Sequence, residues 1–172
     1  MNRAAIIFLW SVALLTLGCA SSRPDARVGD LVGAVVEHGF PISIADASEI
    51  FEGVGLKSRL VPHTEEHERS SGVLSWRDGT CSAEFLPLTF EAGSPEPVVT
   101  ATFECSARNE QEANATLEIW RVRTGARSLP RELPVLLPGR GVGTHARGEV
   151  MRLEGAWRCH LVLSDPRYGY TE

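Results

Sequence analysis

The chain has 172 residues, of which 43% are hydrophobic, 23% charged and 7% aromatic, and its formal net charge is −5. This composition is ordinary for a globular protein and excludes a disordered or low-complexity chain. The length allows one compact domain with one hydrophobic core, which excludes a two-domain cofactor enzyme and a transporter with many membrane spans.

The N-terminus carries the pattern of an export signal. Arg3 precedes an apolar stretch at 4–17 that is too short to cross a bilayer comfortably. The sequence LTLGC at 15–19 resembles the lipobox of bacterial lipoproteins. That resemblance implies cleavage after Gly18, attachment of a diacylglyceryl group to the Cys19 thiol, and acylation of the new amino terminus with a fatty acid such as palmitate. Several acyl chains together give persistent membrane anchoring.

The residue after the lipidated cysteine indicates which membrane holds the protein. Ala20 stands where lipoproteins retained in the inner membrane carry an aspartate. The resemblance therefore implies the periplasmic face of the outer membrane, or the cell membrane if the organism has only one membrane. With 1–18 as the signal peptide and 19–26 as the lipidated cysteine and a short tether, residues 27–172 form a single β-rich domain with a helical N-terminal segment.

Two short helices are predicted at the start of the domain. Apolar residues recur with helical spacing over Val28–Val36. A second helix is indicated by Asp46, which we expect to be its N-cap because Glu49 follows three residues later. This helix is expected to end at Gly53 and Gly55.

Short alternating runs predict strands from Leu56 onward. Asp78 and Gly79 stand between two runs and predict a tight hairpin turn, since glycine tolerates the positive φ of primed turns. The pattern predicts a mainly β fold, an antiparallel β-sandwich or a partly open barrel of about seven strands, preceded by the two helices. The predicted strands span 56–62, 73–77, 80–90, 98–107, 115–123, 134–137, 149–153 and 156–164.

Three cysteines remain for an oxidising compartment when Cys19 is lipidated. If 80–90 and 98–107 form a hairpin, Cys81 faces a position close to Cys105. The hairpin therefore favours a disulfide between Cys81 and Cys105, which leaves Cys159 as a buried thiol.

A second pairing follows from a partial resemblance to immunoglobulin-like sandwiches. Cys105, Trp120 and the sequence GAWRC at 155–159 are similar to the cysteine, tryptophan and glycine-x-aromatic-x-cysteine arrangement of that fold. There the two cysteines bridge the sheets over the tryptophan, which implies a bond between Cys105 and Cys159. Trp157 stands where that fold has a tyrosine, and too few residues follow Ser164 for its last strand. Both pairings stay open at this point.

Two short motifs could indicate chemistry, and each has a plainer explanation. Residues 63–67 contain the His-x-x-Glu-His pattern of one class of zinc peptidases, with His63 and His67 as candidate ligands. They follow Pro62 in a very polar stretch, which predicts a solvated loop. Residues 141–146 match a dinucleotide-binding pattern without the preceding strand, following helix and acidic residue that it requires. We therefore predict no catalytic residue, no metal and no cofactor.

The aromatic residues and one histidine have alternative interpretations. Trp76, Trp120 and Trp157 could form a ligand-stacking platform but are expected in the core or at strand edges. His160 should point away from the face of Trp157, as a surface or cross-strand histidine. Tyr168 and Tyr170 could mark a docking strip near the C-terminus.

Charge is unevenly distributed along the chain. Residues 20–118 carry a net charge of −10, and residues 119–172 a net charge of +4. A basic final third could meet a phosphate or an acidic partner. We expect folding to interleave the two regions instead. The negative total and the compartment both oppose nucleic-acid binding.

The sequence favours a membrane-anchored lipoprotein of the bacterial envelope, acting as a non-catalytic binding or assembly module for an envelope protein or cell-wall component. The alternatives are a small envelope hydrolase with an unrecognised site, and a structural or stress-related envelope lipoprotein. A cleft where a histidine, a carboxylate and a hydroxyl converge would favour the hydrolase. An apolar strand edge or a groove would favour the binding module.

The anchoring hypothesis predicts the effect of removing one thiol. Cys19→Ala should yield an unprocessed precursor or a protein released from the membrane, because no acyl group can be attached. Membrane fractionation and the migration of the intact protein measure this. Ser21→Ala, two residues away, is the control and should behave like wild type. A Cys19→Ala protein that fractionates and migrates like wild type would contradict the lipoprotein hypothesis.

Overall fold

A computed structural model describes residues 24–61, 72–87, 97–131, 134–138 and 143–168. These residues form three α-helices, seven β-strands and a final 3-10 turn. In chain order the elements are α1 (Pro24–His38), α2 (Ile44–Gly53), β1 (Arg59–Val61), β2 (Val73–Arg77), β3 (Cys81–Pro87), β4 (Val98–Ala107), α3 (Glu110–Thr124), β5 (Val135–Leu137), β6 (Thr144–Leu153), β7 (Ala156–Ser164) and the 3-10 turn Pro166–Tyr168.

The seven strands lie in one antiparallel sheet, in the order β1-β2-β3-β4-β7-β6-β5. The sheet is not closed into a barrel, because β1 and β5 are its two edges. Two consecutive meanders, β1 to β4 and β5 to β7, meet where β7 pairs with β4. The mainly β antiparallel fold with seven strands and two preceding helices is confirmed. Helices rather than a second sheet cover the core-facing side.

Aromatic rings connect the helices to the centre of the sheet. Phe51 of α2 packs on Phe85 of β3 with ring centroids 4.7 Å apart. Phe103 of β4 lies 6.2 Å from Phe85 and 6.4 Å from Trp120 of α3. All four side chains are fully buried. Such pairs add about 0.5–1.5 kcal/mol each beyond the area that they bury, so this aromatic row ties both helices to β3 and β4.

The first helix begins earlier than its apolar pattern. Helix α1 begins at Pro24, so the last part of the predicted tether at 19–26 is helical. Proline is favoured in the first turn of a helix, where its missing N–H costs no hydrogen bond. The predicted apolar stripe is the buried face of α1. Its four residues that are wholly inaccessible to solvent are Val28, Leu31, Val32 and Val35.

The second helix is capped by a different residue from the one expected. Ser43, not Asp46, is the N-cap of α2, and its Oγ accepts a hydrogen bond of 3.0 Å from the Asp46 N–H. The Ser43 hydroxyl in turn donates to Asp46 Oδ2 at 2.7 Å. Asp46 therefore lies in the first turn, where a carboxylate interacts favourably with the helix dipole. The predicted end of this helix at Gly53 is confirmed.

The strand predicted at 115–123 is wrong, because these residues belong to helix α3. The Asn109 side chain caps this helix by accepting a hydrogen bond of 2.8 Å from the Glu112 N–H. Gly125 ends it in the left-handed conformation, with φ of 69°. The alternation of apolar and polar residues in 115–123 suggests a strand, but the buried positions of the longer segment from Glu110 to Thr124 follow a helical repeat. The buried residues of α3 are Ala113, Thr116, Trp120 and Thr124.

The hairpin predicted at Asp78 and Gly79 is confirmed, but its turn is not of the expected kind. Strands β2 and β3 pair antiparallel on either side of it. Gly79 does not adopt a positive φ. Instead Asp78 Oδ1 accepts hydrogen bonds from the backbone N–H groups of Thr80 at 2.8 Å and Cys81 at 2.7 Å. A side-chain acceptor thus stabilises the turn that glycine was expected to allow.

The helical assignment of α3 predicts the effect of losing its cap. Asn109→Ala should lower the free energy of unfolding by about 1 kcal/mol, since a backbone N–H loses its acceptor. Asn114→Ala, at an exposed position inside the same helix, should change it by less than about 0.5 kcal/mol. Urea denaturation of both variants provides the measurement. Equal effects of the two substitutions would contradict the assigned cap.

Candidate functional site

The face of the sheet opposite the helices carries most of the charged side chains of the central strands, together with a few apolar ones such as Leu86 and Val162. Because side chains alternate along a strand, the residues between the core positions of β2, β3, β4, β7 and β6 all point to this side. We call it the open face. Its main charged members are Arg77, Glu84, Glu104, Arg147, Glu149, Arg158 and His160.

A concavity of about 190 Å³ lies at one end of the open face. It is lined by Arg77, the turn residues 78–82, Glu104, Ser106 and Arg158. We call it the hairpin concavity, since the β2–β3 turn forms one wall and strands β4 and β7 form the other. Its lining combines two guanidinium groups, the carboxylates of Asp78 and Glu104, and several hydroxyls, so it fits a polar or charged group rather than an apolar one.

The two arginines of the hairpin concavity differ in whether a carboxylate neutralises them. Arg158 Nη1 donates to Glu104 Oε1 at 2.6 Å, across the β4–β7 pair. Arg77 is exposed and forms no ion pair within the described ranges. The guanidinium of Arg77 is therefore the cation of this concavity that can meet an external anionic group without breaking an existing pair.

A row of titratable side chains crosses the open face beside the hairpin concavity. His160 on β7 lies directly opposite Glu104 on β4 and Glu149 on β6. Its Nδ1 is 3.8 Å from Glu149 Oε1, and Arg131 Nε lies 2.8 Å from the same carboxylate. The expected cross-strand histidine is confirmed. Across the part of the chain that the structure describes, no three of His, Cys, Asp and Glu lie together as a metal-binding group.

A histidine and a hydroxyl also meet near the other end of the sheet. His145 on β6 lies directly opposite Ser164 on β7. Ser164 Oγ is buried, however, and makes no hydrogen bond to any residue that the structure describes. A nucleophilic serine requires access to substrate and a hydrogen bond to its base. This pair therefore does not form the arrangement that would favour a hydrolase.

The carboxylate of Asp165, next to Ser164, is bound by Arg167 through both of its oxygens. Its side chain is inaccessible to solvent, and Arg167 binds both oxygens, with Nε 3.0 Å from Oδ1 and Nη2 2.7 Å from Oδ2. The Arg167 backbone N–H also donates to Oδ1 at 2.9 Å. Burial by itself would raise the pKa of Asp165. The hydrogen bonds and charge of Arg167, with a contribution from His145, outweigh it and leave the pKa below its usual value.

The two cysteines that the hairpin argument favoured are brought together. Cys81 and Cys105 lie directly opposite each other on β3 and β4, with Cα atoms 4.1 Å apart and the two sulfur atoms bonded. Cys159 lies directly opposite Cys105 on the other side, on β7. The lipidation residue Cys19 and the His63 and His67 pair lie outside the described residues.

The tryptophans do not form a platform. Trp120 is fully buried on α3, and Trp76 and Trp157 pack against the core on the helix-covered side. The immunoglobulin-like arrangement is likewise not formed, because Trp120 lies on a helix and Cys105 is bonded to Cys81. Within the 141–146 motif, the residues from Thr144 onward form strand β6, where a dinucleotide fold requires a helix. Tyr168 is 38% exposed, and Tyr170 lies outside the described residues.

Sequence reasoning missed the hairpin concavity. Alternation along the strands places Glu104 and Arg158 on the polar side of β4 and β7, but it does not predict that the two side chains are in contact. Their contact depends on the pairing of β4 with β7, which brings together residues more than 50 positions apart.

Comparisons with known proteins give no further assignment. No protein-family model, curated protein or solved structure matches this chain. Among the described helices none has both the length and the apolar character that crossing a membrane would require.

The ion pair between Arg167 and Asp165 predicts that the stability of the protein depends on pH. Because the pKa of Asp165 is lowered on folding, its stabilisation is complete above the ordinary carboxylate pKa of about 4 and is lost as pH falls below it. Arg167→Gln should lower the free energy of unfolding at neutral pH, since a buried carboxylate loses its cation. The same variant should lose less stability than wild type on acidification.

Urea denaturation at neutral and acidic pH measures both effects. Arg127→Gln is the matched control, because Arg127 is exposed and lies outside this cluster. An Arg167→Gln protein that is as stable as the control at neutral pH would show that the Arg167–Asp165 ion pair does not stabilise the fold.

Proposed function

We propose that this protein is a lipid-anchored lipoprotein of the bacterial envelope, on the periplasmic face of the outer membrane. The observation that carries this proposal is the sequence LTLGC at 15–19, placed directly after a short apolar segment. Acylation of Cys19 would hold the domain close to the membrane, since helix α1 begins at Pro24 and only a few residues separate the two.

The pairing of Cys81 with Cys105 supports an oxidising compartment. Disulfides persist in the periplasm and outside the cell, and they are rare in the reducing cytosol of mesophilic organisms. The two cysteines lie opposite each other on neighbouring strands, so a bond between them requires no rearrangement of the sheet. This observation and the lipobox-like segment are independent of each other and support the same location.

We further propose that the domain is a binding module and that the hairpin concavity is its contact surface. Arg77 is exposed there, while Arg158 is held by Glu104. An acidic group of an envelope protein or cell-wall component would meet Arg77, and the Ser82 and Ser106 hydroxyls offer further hydrogen bonds. Ser164 Oγ is buried and makes no hydrogen bond to any described residue, which makes binding a better proposal than hydrolysis.

Affinity capture with matched variants tests this function. The full lipoprotein, solubilised with the envelope in detergent, is used to capture partners as wild type, as Arg77→Glu and as Arg127→Glu. We expect Arg77→Glu to retain at least about tenfold less partner, because one charge-assisted hydrogen bond contributes about 1.5–3 kcal/mol and tenfold is about 1.4 kcal/mol. Arg127→Glu makes the same charge change outside the concavity and should capture like wild type.

Three other results of this experiment would each contradict one part of the proposal. Equal capture by the two variants would show that the hairpin concavity is not the contact surface. A wild-type protein that captures nothing above background would reject the binding module. Recovery of the wild-type protein in the soluble fraction would reject the lipid anchor, independently of what it binds.

A further inference from the structure

Three cysteines lie in one row across three adjacent strands. Cys81 of β3 is opposite Cys105 of β4, and Cys105 is opposite Cys159 of β7. All three side chains are on the helix-covered side of the sheet and are buried, with exposed fractions of 4%, 3% and 0%. Cys105 therefore has a cysteine on each side at the spacing of neighbouring strands, about 4.8 Å.

Both neighbours of Cys105 lie within disulfide range. The Ser106 N–H donates to the Thr80 carbonyl, so the backbone of Ser106 points towards β3 and that of Cys105 points towards β7. Cys105 and Cys159 thus form a hydrogen-bonded pair of the antiparallel ladder, for which the Cα–Cα distance is about 5.5 Å. This lies within the range of about 4.4–6.8 Å over which disulfides form.

We propose that Cys159 exchanges with the disulfide, so that the bond alternates between Cys81–Cys105 and Cys105–Cys159. The Cys159 thiolate attacks Cys105 Sγ, a new sulfur–sulfur bond forms, and Cys81 leaves as a thiolate. That thiolate takes up the proton that Cys159 released. One disulfide and one thiol are present before and after the step, so no external oxidant or reductant is needed.

The order of the strands favours attack at Cys105. Strand β4 lies between β3 and β7, so the attacking Cys159 and the leaving Cys81 are on opposite sides of Cys105. In thiol–disulfide exchange, the attacking sulfur and the leaving sulfur lie on opposite sides of the sulfur that is attacked. Because the row is buried, Cys159 is the thiol that the fold holds next to this bond, whereas thiols in solution have little access.

The exchange would change what the cross-link holds. In the structure it joins β3 to β4 beside the hairpin concavity, which Cys81 helps to line. In the exchanged form it joins β4 to β7, and the turn at 78–82 keeps only its hydrogen bonds. This inference rests on the register of the strands and not on the proposed partner binding.

Disulfide mapping under conditions that permit and prevent exchange tests the inference. The oxidised full chain is incubated without added thiol at about pH 8.5, the ordinary pKa of a cysteine thiol. It is then acidified, which stops exchange, and digested with pepsin at acid pH. We expect peptides that link Cys81 to Cys105 and others that link Cys105 to Cys159. Cys159→Ala should give only the first linkage, and Cys81→Ala only the second.

The kinetics separate exchange from a pairing fixed during biosynthesis. The Cys81–Cys105 isomer, purified at acid pH and returned to about pH 8.5, should form the other isomer within minutes to hours, at a rate independent of protein concentration. A wild-type protein that keeps only the Cys81–Cys105 linkage would overturn the inference. So would a rate that rises with protein concentration. The wild-type result decides the matter even if Cys81→Ala does not fold.

Discussion

Everything in this domain depends on covering one side of an open seven-stranded sheet with three helices. A sheet has two faces, and this chain contributes no second sheet among its described residues that could bury one of them. The aromatic row Phe51, Phe85, Phe103 and Trp120 connects α2 and α3 to the two central strands. Large rings bury much apolar area at a small cost in side-chain entropy, so they are suited to joining layers of different secondary structure.

The arrangement of charges follows from that coverage. With the helices on one side, every second residue of the central strands faces outward, and charges placed there need not be desolvated completely. The basic C-terminal third supplies partners to the acidic first part, as in Arg123 with Asp30 and Arg158 with Glu104. The expected interleaving of the two regions is therefore confirmed for these pairs. Arg77 forms no ion pair with the residues that the structure describes.

The same strand order places the cysteines and the concavity in one neighbourhood. Insertion of β7 beside β4 brings Cys159 to Cys105 on the core side and Arg158 to Glu104 on the open face. Both contacts therefore depend on the pairing of β4 with β7.

The sequence by itself determined the properties that depend on local patterns: the two N-terminal helices, most strands, the Asp78 hairpin, and the proximity of Cys81 and Cys105. It did not identify α3, because alternation over 115–123 masked a helix whose caps, Asn109 and Gly125, lie outside that window. Only the tertiary structure decided that β7 pairs with β4. That pairing joins residues far apart in the chain, and its free energy comes from the burial of a shared face rather than from any local signal. The hairpin concavity and the position of Cys159 beside Cys105 both depend on it.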